Sequence, residues 1–295
     1  MDIDYEMKLE LFYRQIVKEK DVVIDVGAHS GRHSDVLASL VGLNGCVMAF
    51  EPNPTIIKLF KERSKYWIDN KVIRIKQFAT SNKNTRSTFV IANERPEESG
   101  LVERIYTGPT TTSKIDVTVV KLDTLMNEVN NLKFIKIDTE GAEYNTLLGA
   151  KEIIEKFKPV IAFEFGESSY SAYSVNPLNV YNFFENIGYK LYSINGSPLN
   201  KESFVAESKI QKFWDYIACH ENDVIIVENA FRSITNINTE EIIAKLKSLY
   251  TSILNREADN GGLHYYTQKI IDNSMTLEMV ENIIRNSQEY KDANK

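Results

Sequence analysis

Cysteine, tryptophan and histidine are scarce: this chain of 295 residues contains two, two and four of them. Cys46 and Cys219 lie in separate apolar runs, and neither has a second cysteine nearby. We therefore expect both thiols to pack in the core rather than to serve redox chemistry or to bind a metal.

Long apolar runs and a leader pattern are lacking too. No apolar run approaches the roughly 20 residues that cross a bilayer. The opening segment MDIDYEMKLE is acidic, whereas a secretory signal would be basic and then apolar. These two absences predict a cytoplasmic protein without membrane insertion.

An excess of basic residues is also absent. The formal net charge is -6, whereas a general nucleic-acid binder needs a basic face to replace the counterions on phosphate. We therefore expect no nucleic-acid partner. The hydrophobic fraction of 43% and the charged fraction of 26% are typical of a soluble globular protein. The length is enough for one large and one small domain.

Apolar runs and helical patterns alternate along most of the chain. After a leading helix over 7–17, strands are predicted at 22–28, 46–51, 72–79, 133–138 and 159–165, and helices at 31–41, 53–67, 142–157 and 176–189. Parallel neighbours need crossover connections of this kind, so the pattern predicts an α/β fold with a mainly parallel sheet and helices on both faces. The last strand pair, KLYSIN and DYIACH, is joined without a convincing helix, which favours a terminal antiparallel strand.

The composition turns polar near residues 231–238, and only helical periodicity follows. This predicts a large domain over 1–232, whose leading helix lies within 1–20, and a small all-α domain over 238–295. Residues 250–290 are similar to a helical domain of unknown function that recurs in bacterial surface-associated and glycan-modifying proteins. That resemblance implies a protein or glycan partner for the small domain.

The stretch VVIDVGAHSGRHSDVLASLV, residues 22–41, runs from the first strand through a glycine turn into a helix. Ligands of open parallel sheets bind beyond the carboxyl ends of the strands, where this turn lies. Gly27 and Gly31 would let the backbone bend sharply and approach a ligand. The dinucleotide pattern G-x-G-x-x-G requires glycines where this chain has His29 and Arg32, which disfavours a nicotinamide cofactor.

Carboxylates gather at the same edge of the predicted sheet. Glu51 ends the second strand, where an acidic side chain can accept two hydrogen bonds from ribose hydroxyls. Asp25 and Asp138 add two further carboxylates. Carboxylates without a phosphate cradle suit a cationic nucleoside such as S-adenosylmethionine (SAM). Taken alone, however, a strand followed by GxxxG is a weak signal, and Glu51 could be a solvated strand end.

Five motifs together resemble the FkbM family of SAM-dependent methyltransferases. They are DVGAHSGRHS (25–34), AFEPNP (49–54), LDTL (122–125), IKIDTEGAEYNTLLGA (135–150) and PVIAFEF (159–165). The resemblance covers about residues 20–220 and departs from the family at His29, where the family usually has Asn. It implies a class I, Rossmann-like methyltransferase fold and methyl transfer to a hydroxyl oxygen, commonly of a sugar or a polyketide-type natural product.

The resemblance also implies positions around the donor. Gly27, Ala28, His29 and Gly31 would line the methionine part, Glu51 would bind the ribose, and Phe78, Ala79 and Thr80 would lie near the adenine. The full set expected to bind SAM is Asp25, Gly27, Ala28, His29, Gly31, His33, Ser34, Glu51, Asn53, Phe78, Ala79, Thr80 and Asp138.

An alcohol is a poor nucleophile at neutral pH, so its proton must pass to a base while the new bond forms. Asp138 and Glu140 are the first candidates for orienting or deprotonating the acceptor, with Glu164 and Glu167 second. Alternatively, two carboxylates could hold Mg²⁺, which would lower the pKa of the alcohol. His29 and His33 are further candidate bases, although a role in lining the donor also explains their position.

The acceptor side is predicted from the long polar segment 93–114 and from SSYSAYSVNP (168–177), because loops beyond about 12 to 15 residues in compact domains are usually functional or disordered. Tyr170 and Tyr173 could stack on a sugar ring beside Glu167, with ordinary packing as the alternative. The sequence thus predicts an O-methyltransferase acting on a sugar or glycan, such as a capsule or O-antigen unit. A non-catalytic module that binds SAM or a nucleoside is the second hypothesis, and a nicotinamide oxidoreductase the third.

Overall fold

A computed structural model describes residues 5–236, 239–271 and 275–293. Eleven strands lie within this part of the chain: β1 Val22–Val26, β2 Cys46–Phe50, β3 Ile73–Lys76, β4 Ala79–Thr80, β5 Thr85–Ala92, β6 Thr112–Val120, β7 Leu132–Ile137, β8 Val160–Glu164, β9 Tyr189–Ser193, β10 Pro198–Leu199 and β11 Asp215–His220. The helices there are α1 Tyr5–Ile16, α2 Arg32–Val41, α3 Pro54–Arg63, α4 Lys65–Asp69, α5 Glu143–Leu148, α6 Lys151–Phe157, α7 Glu167–Tyr170, α8 Pro177–Asn186, α9 Lys201–Lys209, α10 Val224–Asn236, α11 Thr239–Leu254, α12 Asn260–Ile271, α13 Leu277–Asn286 and α14 Gln288–Ala293. Short 3-10 helices occur at Pro96–Glu98, Leu122–Leu125, Ser171–Tyr173 and Glu221–Asp223.

Eight strands form one sheet in the order β10-β9-β11-β8-β7-β1-β2-β3. The strands from β8 to β3 pair in parallel, whereas β11 is antiparallel to both of its neighbours. This confirms the predicted α/β fold with a mainly parallel sheet flanked by helices. β11 lies inside the sheet, between β8 and β9, and the strand at the sheet's edge, β10, is antiparallel to β9.

A second sheet of three strands, in the order β4-β6-β5, stands apart from the first. β5 and β6 pair antiparallel over their whole lengths, and β4 joins β6 in parallel. The polar segment 93–111 connects β5 to β6, so this hairpin carries the predicted acceptor loop.

Three helical predictions differ from the structure. The stretch 142–157 forms two helices separated at Gly149, where a Cβ would lie 2.0 Å from the Ser81 carbonyl oxygen. The stretch 53–67 likewise divides at Ser64 into α3 and α4. Helix α9 was not predicted, because only Phe204 and Ser208 are buried in it and it therefore lacks an apolar periodicity.

The core lies between the main sheet and its covering helices. β2 is buried at every residue, and β1, β7 and β8 are nearly so, as expected for parallel strands covered on both faces. Helix α1 covers part of this sheet with Phe12 and Tyr13, which are 0% exposed.

The chain divides into two compact units, Met1–Phe231 and Arg232–Lys295. The second unit has its own apolar core, formed by Leu246, Tyr250, Ile253, Val280 and Ile284. Over the described ranges, no helix is both long and apolar enough to cross a membrane.

Candidate active site

A cavity of about 310 Å³ opens at the carboxyl ends of β1, β2, β7 and β8. This is where ligands bind in open parallel sheets. Eleven of the predicted site residues line it: Gly27, Ala28, His29, His33, Glu51, Phe78, Ala79, Thr80, Asp138, Glu140 and Glu164. The other seven lie outside its wall: Asp25, Gly31, Ser34, Asn53, Glu167, Tyr170 and Tyr173.

The glycine turn after β1 is shaped by packing inside the protein. Gly27 and Gly31 have φ angles of 75° and 84°, in the left-handed region. A Cβ on Gly27 would lie 1.6 Å from the Asp138 carbonyl oxygen, and one on Gly31 would lie 2.3 Å from the Phe60 ring. Both glycines are thus required by contacts with the protein itself, and Gly27 also lines the cavity.

Glu51 holds the turn in place from the end of β2. One carboxylate oxygen accepts the backbone N–H of His29 at 3.0 Å, and the other accepts that of Asn53 at 2.8 Å. Burial raises the pKa of Glu51 to about 7, although the two backbone N–H groups oppose that shift. Each oxygen keeps a second lone pair, so the carboxylate can still accept hydrogen bonds from a ligand in the cavity.

Asp25, Ser34 and Asn53 fix the elements around the cavity without lining it. The Ser34 hydroxyl donates to an Asp25 carboxylate oxygen at 2.6 Å, which ties α2 to β1. The Asn53 side chain caps α3 by accepting the Thr55 N–H at 3.0 Å. The structure therefore gives these three residues supporting positions instead of the direct donor contacts expected from the sequence.

Three predicted catalytic carboxylates converge. Asp138, Glu140 and Glu164 each offer an oxygen within 4.8 Å of the others. Asp138 accepts a hydrogen bond from the Lys136 ammonium at 2.8 Å. Burial alone would raise the pKa of Asp138, but Lys136 and a hydrogen bond with Glu164 hold it below its usual range. Burial and the neighbouring Asp138 charge raise the pKa of Glu164 well above its ordinary value, so Glu164 holds a proton more readily than Asp138 does.

Glu140 is paired with a buried arginine. Arg104, whose side chain is 2% exposed, forms an ion pair with the Glu140 carboxylate and reaches it from the segment between β5 and β6. Two members of the carboxylate cluster therefore have a positive partner: Lys136 for Asp138 and Arg104 for Glu140.

His33 is held by helix α1. Its Nε2 lies 2.6 Å from a Glu6 carboxylate oxygen and its Nδ1 lies 3.0 Å from the Tyr13 hydroxyl. Glu6 also accepts a hydrogen bond from Arg32 at 2.8 Å. Burial alone would raise the pKa of Glu6. The hydrogen bond with His33 and the charge of His33 lower it and help to hold it at about 2.

Sequence reasoning did not identify Glu6, Lys136 or Arg104 as parts of this site. A signal existed for Lys136, which is the one charged residue inside the run FIKI (134–137), because buried charges are almost always paired. Glu6 and Arg104 carry no comparable signal, since their partners are distant in the sequence.

The three residues predicted to bind an acceptor lie elsewhere. Tyr170 is buried and stacks on Phe165 at 4.5 Å between ring centroids, so it has no free face for a sugar. The Tyr173 hydroxyl accepts the Val102 N–H at 3.1 Å, and its ring packs against Gly141. Glu167 is exposed in the first turn of α7. These positions favour the packing alternative for both tyrosines.

The segment between β5 and β6 forms one wall of the cavity. Pro96, Glu97, Ser99 and Leu101 line it together with Phe89 of β5. The Tyr173 contact to Val102 holds this segment against the 3-10 helix Ser171–Tyr173, and the Arg104 pair with Glu140 holds it against the loop that follows β7.

The sheet order and the carboxylate-lined cavity beyond the ends of the parallel strands define a Rossmann-like α/β protein. The sequence profile of the methyltransferase FkbM domain matches residues 25–191. That match covers more than half of the chain, so the chain belongs to the FkbM family of SAM-dependent methyltransferases.

Several solved structures are similar to this chain. The methyltransferase FkbM from Methylobacillus flagellatus KT is 14% identical, with a TM-score of 0.44; the match covers 75% of this chain and 56% of that protein. A SAM-dependent O-methyltransferase from Thermotoga maritima is 15% identical, with a TM-score of 0.38 and coverage of 75% and 66%. A Streptococcus mutans protein solved in complex with SAH is 12% identical, with a TM-score of 0.41 and coverage of 74% and 99%. No curated protein sequence matches this chain.

Proposed function

We propose that this methyltransferase transfers the methyl group to a hydroxyl oxygen of a sugar or glycan. The observation that carries the proposal is the asymmetric carboxylate pair in the cavity wall. Asp138 is held in its ionised form by Lys136 and can accept a hydrogen bond from a hydroxyl, whereas Glu164, whose pKa is raised, is the carboxyl that can donate one when it carries a proton. A polyol offers both donors and acceptors to such a pair.

The cavity has the chemistry that SAM requires. Glu51 faces it with spare lone pairs for ribose hydroxyls, and Phe50, Phe78 and Phe89 provide apolar surface for a base. Ionised Asp138 lies on the same wall and favours a positively charged ligand. When bound, SAM supplies a methyl group on a positively charged sulfur.

The residues of the chain supply position and charge. Methyl transfer is an in-line displacement, for which holding the reacting atoms in place is a large part of catalysis. Asp138 would orient the acceptor hydroxyl, and Lys136 keeps that carboxylate ionised and fixed. Arg104 holds Glu140 and draws the wall segment 96–101 over the cavity, which limits access of water to the acceptor.

The decisive assay uses SAM with a tritiated methyl group and a bacterial oligosaccharide extract. We expect label in the extract, S-adenosylhomocysteine as co-product, and a product heavier by one methylene in mass spectrometry. Asp138→Asn keeps the size of the side chain, so it should lower transfer about 100-fold while SAM binding by calorimetry persists. Wild-type protein that binds SAM but labels no sugar would contradict the proposal and favour the non-catalytic alternative.

The alternative that Mg²⁺ activates the acceptor has a separate test. Since Lys136 and Arg104 already pair with two of the three carboxylates, we expect full activity after treatment with EDTA. Activity that falls with EDTA and returns with Mg²⁺ would restore the metal alternative.

For the carboxyl-terminal unit we propose a separate role in contacting a protein or glycan partner. Its independent apolar core supports treating it as a unit of its own. Deletion of residues 238–295 should preserve SAM binding and reduce turnover on the oligosaccharide extract. Unchanged turnover together with unchanged oligomeric state would remove this role.

A further inference from the structure

We propose that His29 is the general base of the reaction, with its Nε2 receiving the proton of the acceptor hydroxyl. This inference rests on the proposed O-methyl transfer. It assigns a catalytic role to a residue that the family resemblance places only along the donor.

The first observation is an unused nitrogen in the cavity wall. His29 lines the same cavity as the carboxylate cluster, and its Nε2 is buried without a hydrogen-bond partner within the part of the chain that the structure describes. A buried polar atom is normally paired, so an unpaired one in a ligand cavity indicates a partner that arrives with the ligand. In the tautomer protonated on Nδ1, the Nε2 atom offers a lone pair to a hydroxyl.

The second observation is that the backbone holds His29 in place. Its φ angle is 47°, a left-handed conformation that is uncommon for residues other than glycine. The Glu51 carboxylate accepts the backbone N–H of His29 at 3.0 Å and fixes the position of that residue. Strained backbone of this kind occurs often at functional sites, where the surrounding structure maintains it.

The carboxylates of the cavity are poorly suited to take the proton. Asp138 is bound to Lys136, and the pKa of Asp138 lies below its usual range. Glu140 is paired with Arg104. Glu164 is hydrogen-bonded with Asp138. Each of the three carboxylates is therefore already engaged with a neighbouring side chain of the protein.

The two other candidate bases are occupied. The pKa of Glu51 is about 7, but both of its oxygens already accept backbone N–H groups, and a proton on either oxygen would weaken the bond that this oxygen accepts. Both ring nitrogens of His33 are engaged, one with Glu6 and the other with Tyr13. Among the predicted cofactor and catalytic residues that line the cavity, His29 is the remaining titratable candidate.

The surroundings of His29 keep it neutral at pH 7. Burial lowers the pKa of His29 below its ordinary value of 6.5. The negative charges of Glu97 and Asp138 raise the pKa of His29, whereas the positive charges of Lys136 and Arg63 lower it further. In the reaction, the hydroxyl oxygen bonds to the methyl carbon while the carbon–sulfur bond breaks and its electron pair returns to sulfur. The hydroxyl proton moves to Nε2 of His29 and from there to water, which leaves a methyl ether and S-adenosylhomocysteine.

The test compares single-turnover rates at saturating SAM from about pH 5 to pH 8. It uses the oligosaccharide acceptor isolated in the transfer assay. Wild-type protein should lose rate at low pH as His29 becomes protonated. His29→Asn should lower the rate at pH 7 by about 100-fold or more and abolish that acidic limb, while its SAM affinity by calorimetry stays within about threefold. His264→Asn, in the carboxyl-terminal unit, is the matched control and should keep both the rate and the limb.

An independent readout is the titration of the four histidine rings by NMR. The signal that disappears in His29→Asn should titrate below pH 6.5, at the midpoint of the acidic limb. If His29→Asn does not fold, His29→Gln takes its place. The inference is overturned if the limb persists without His29, if it vanishes in His33→Asn instead, or if the variant loses only SAM affinity. Wild-type protein without sugar methylation would refute the proposed function, which is a distinguishable result.

Discussion

Lys136 and Asp138 form an ion pair at the end of β7, with Nζ 2.8 Å from Oδ2 and the lysine side chain 5% exposed. Their side chains lie on the same face of the strand because strand residues alternate with a period of two. Lys136 also faces Asp25 and Glu6, and these three carboxylates raise its pKa despite burial. One lysine therefore compensates negative charge from three elements of the fold.

Lys136→Met should destabilise the protein strongly, because it leaves buried carboxylates without their cation. Breaking a buried pair from one side costs about 3–5 kcal/mol, so we expect a loss of about 3 kcal/mol in urea denaturation at pH 7. Lys151→Met, at an exposed position on α6, should change stability by less than about 0.5 kcal/mol. A double variant Lys136→Met, Asp138→Asn should recover part of the loss; equal losses in the single and double variants would contradict the pairing.

Glu6→Gln should flatten the dependence of stability on pH in acid. The folded pKa of Glu6 is about 2, below its ordinary 4.5, so its contribution is present above pH 4.5 and is lost as the pH falls toward 2. The unfolding free energies of wild type and variant should thus converge over that interval. Glu19→Gln, an exposed change just after α1, is the control, and its unfolding free energy should differ from that of wild type by the same amount at every pH. If the difference for Glu6→Gln is also independent of pH, the contact with His33 is refuted.

Asp215→Asn should have the opposite pH dependence. Burial raises the pKa of Asp215 to about 8 in the folded protein, against an ordinary 3.8. Stability contributed by the neutral acid is present below pH 3.8 and is lost as the pH rises toward 8. The variant should therefore gain on wild type between pH 5 and pH 8, by up to ~3 kcal/mol in chemical denaturation. Asp116→Asn, on the exposed side of β6, serves as control. If the stabilities of both variants change with pH in the same way, the burial of Asp215 is contradicted.

Gly27→Ala should prevent correct folding or cost more than about 3 kcal/mol, because the Cβ would overlap the Asp138 carbonyl oxygen at 1.6 Å. Gly261→Ala meets only the Asp259 side chain at 3.4 Å and should be tolerated. Thermal unfolding of both variants measures the contrast. Comparable melting temperatures would mean that the turn after β1 can move away from β7.

Glu51→Gln should weaken SAM binding at least tenfold by calorimetry. A glutamine has one acceptor oxygen, so it can keep the N–H of His29 or that of Asn53 but not both, and the turn that faces the donor loosens. Glu62→Gln, an exposed change on α3, should leave the affinity unchanged. An unaltered affinity in Glu51→Gln would show that the donor makes no use of this carboxylate or of the turn it holds.

The apolar runs were sufficient to predict the main sheet, because parallel strands covered on both faces read as continuous apolar segments. Helix α9 escaped prediction since it buries Phe204 as its single apolar residue. The separate sheet of β4, β5 and β6 could not be inferred either, because strand patterns carry no information about which partner a strand pairs with.

The motifs located most of the cavity wall, yet they could not separate residues that line it from residues that support it. Asp25 and Ser34 belong to the same motif as residues that line the cavity, but their side chains hydrogen-bond to each other and do not line it. The pairings of Arg104 with Glu140 and of Glu6 with His33 join segments far apart in sequence. Only the folded arrangement reveals such pairs, because local sequence patterns describe one segment at a time.

Helix α1 lies outside the family segment, which begins at residue 25, yet it contributes Glu6 to the cavity and Tyr13 to the support of His33. The family segment alone therefore does not contain every residue that lines the cavity. A chimera that exchanges only the family segment between relatives would bring together an active-site wall and a helix that had not evolved in contact. Engineering of acceptor choice in such enzymes should transplant the opening helix along with the motifs.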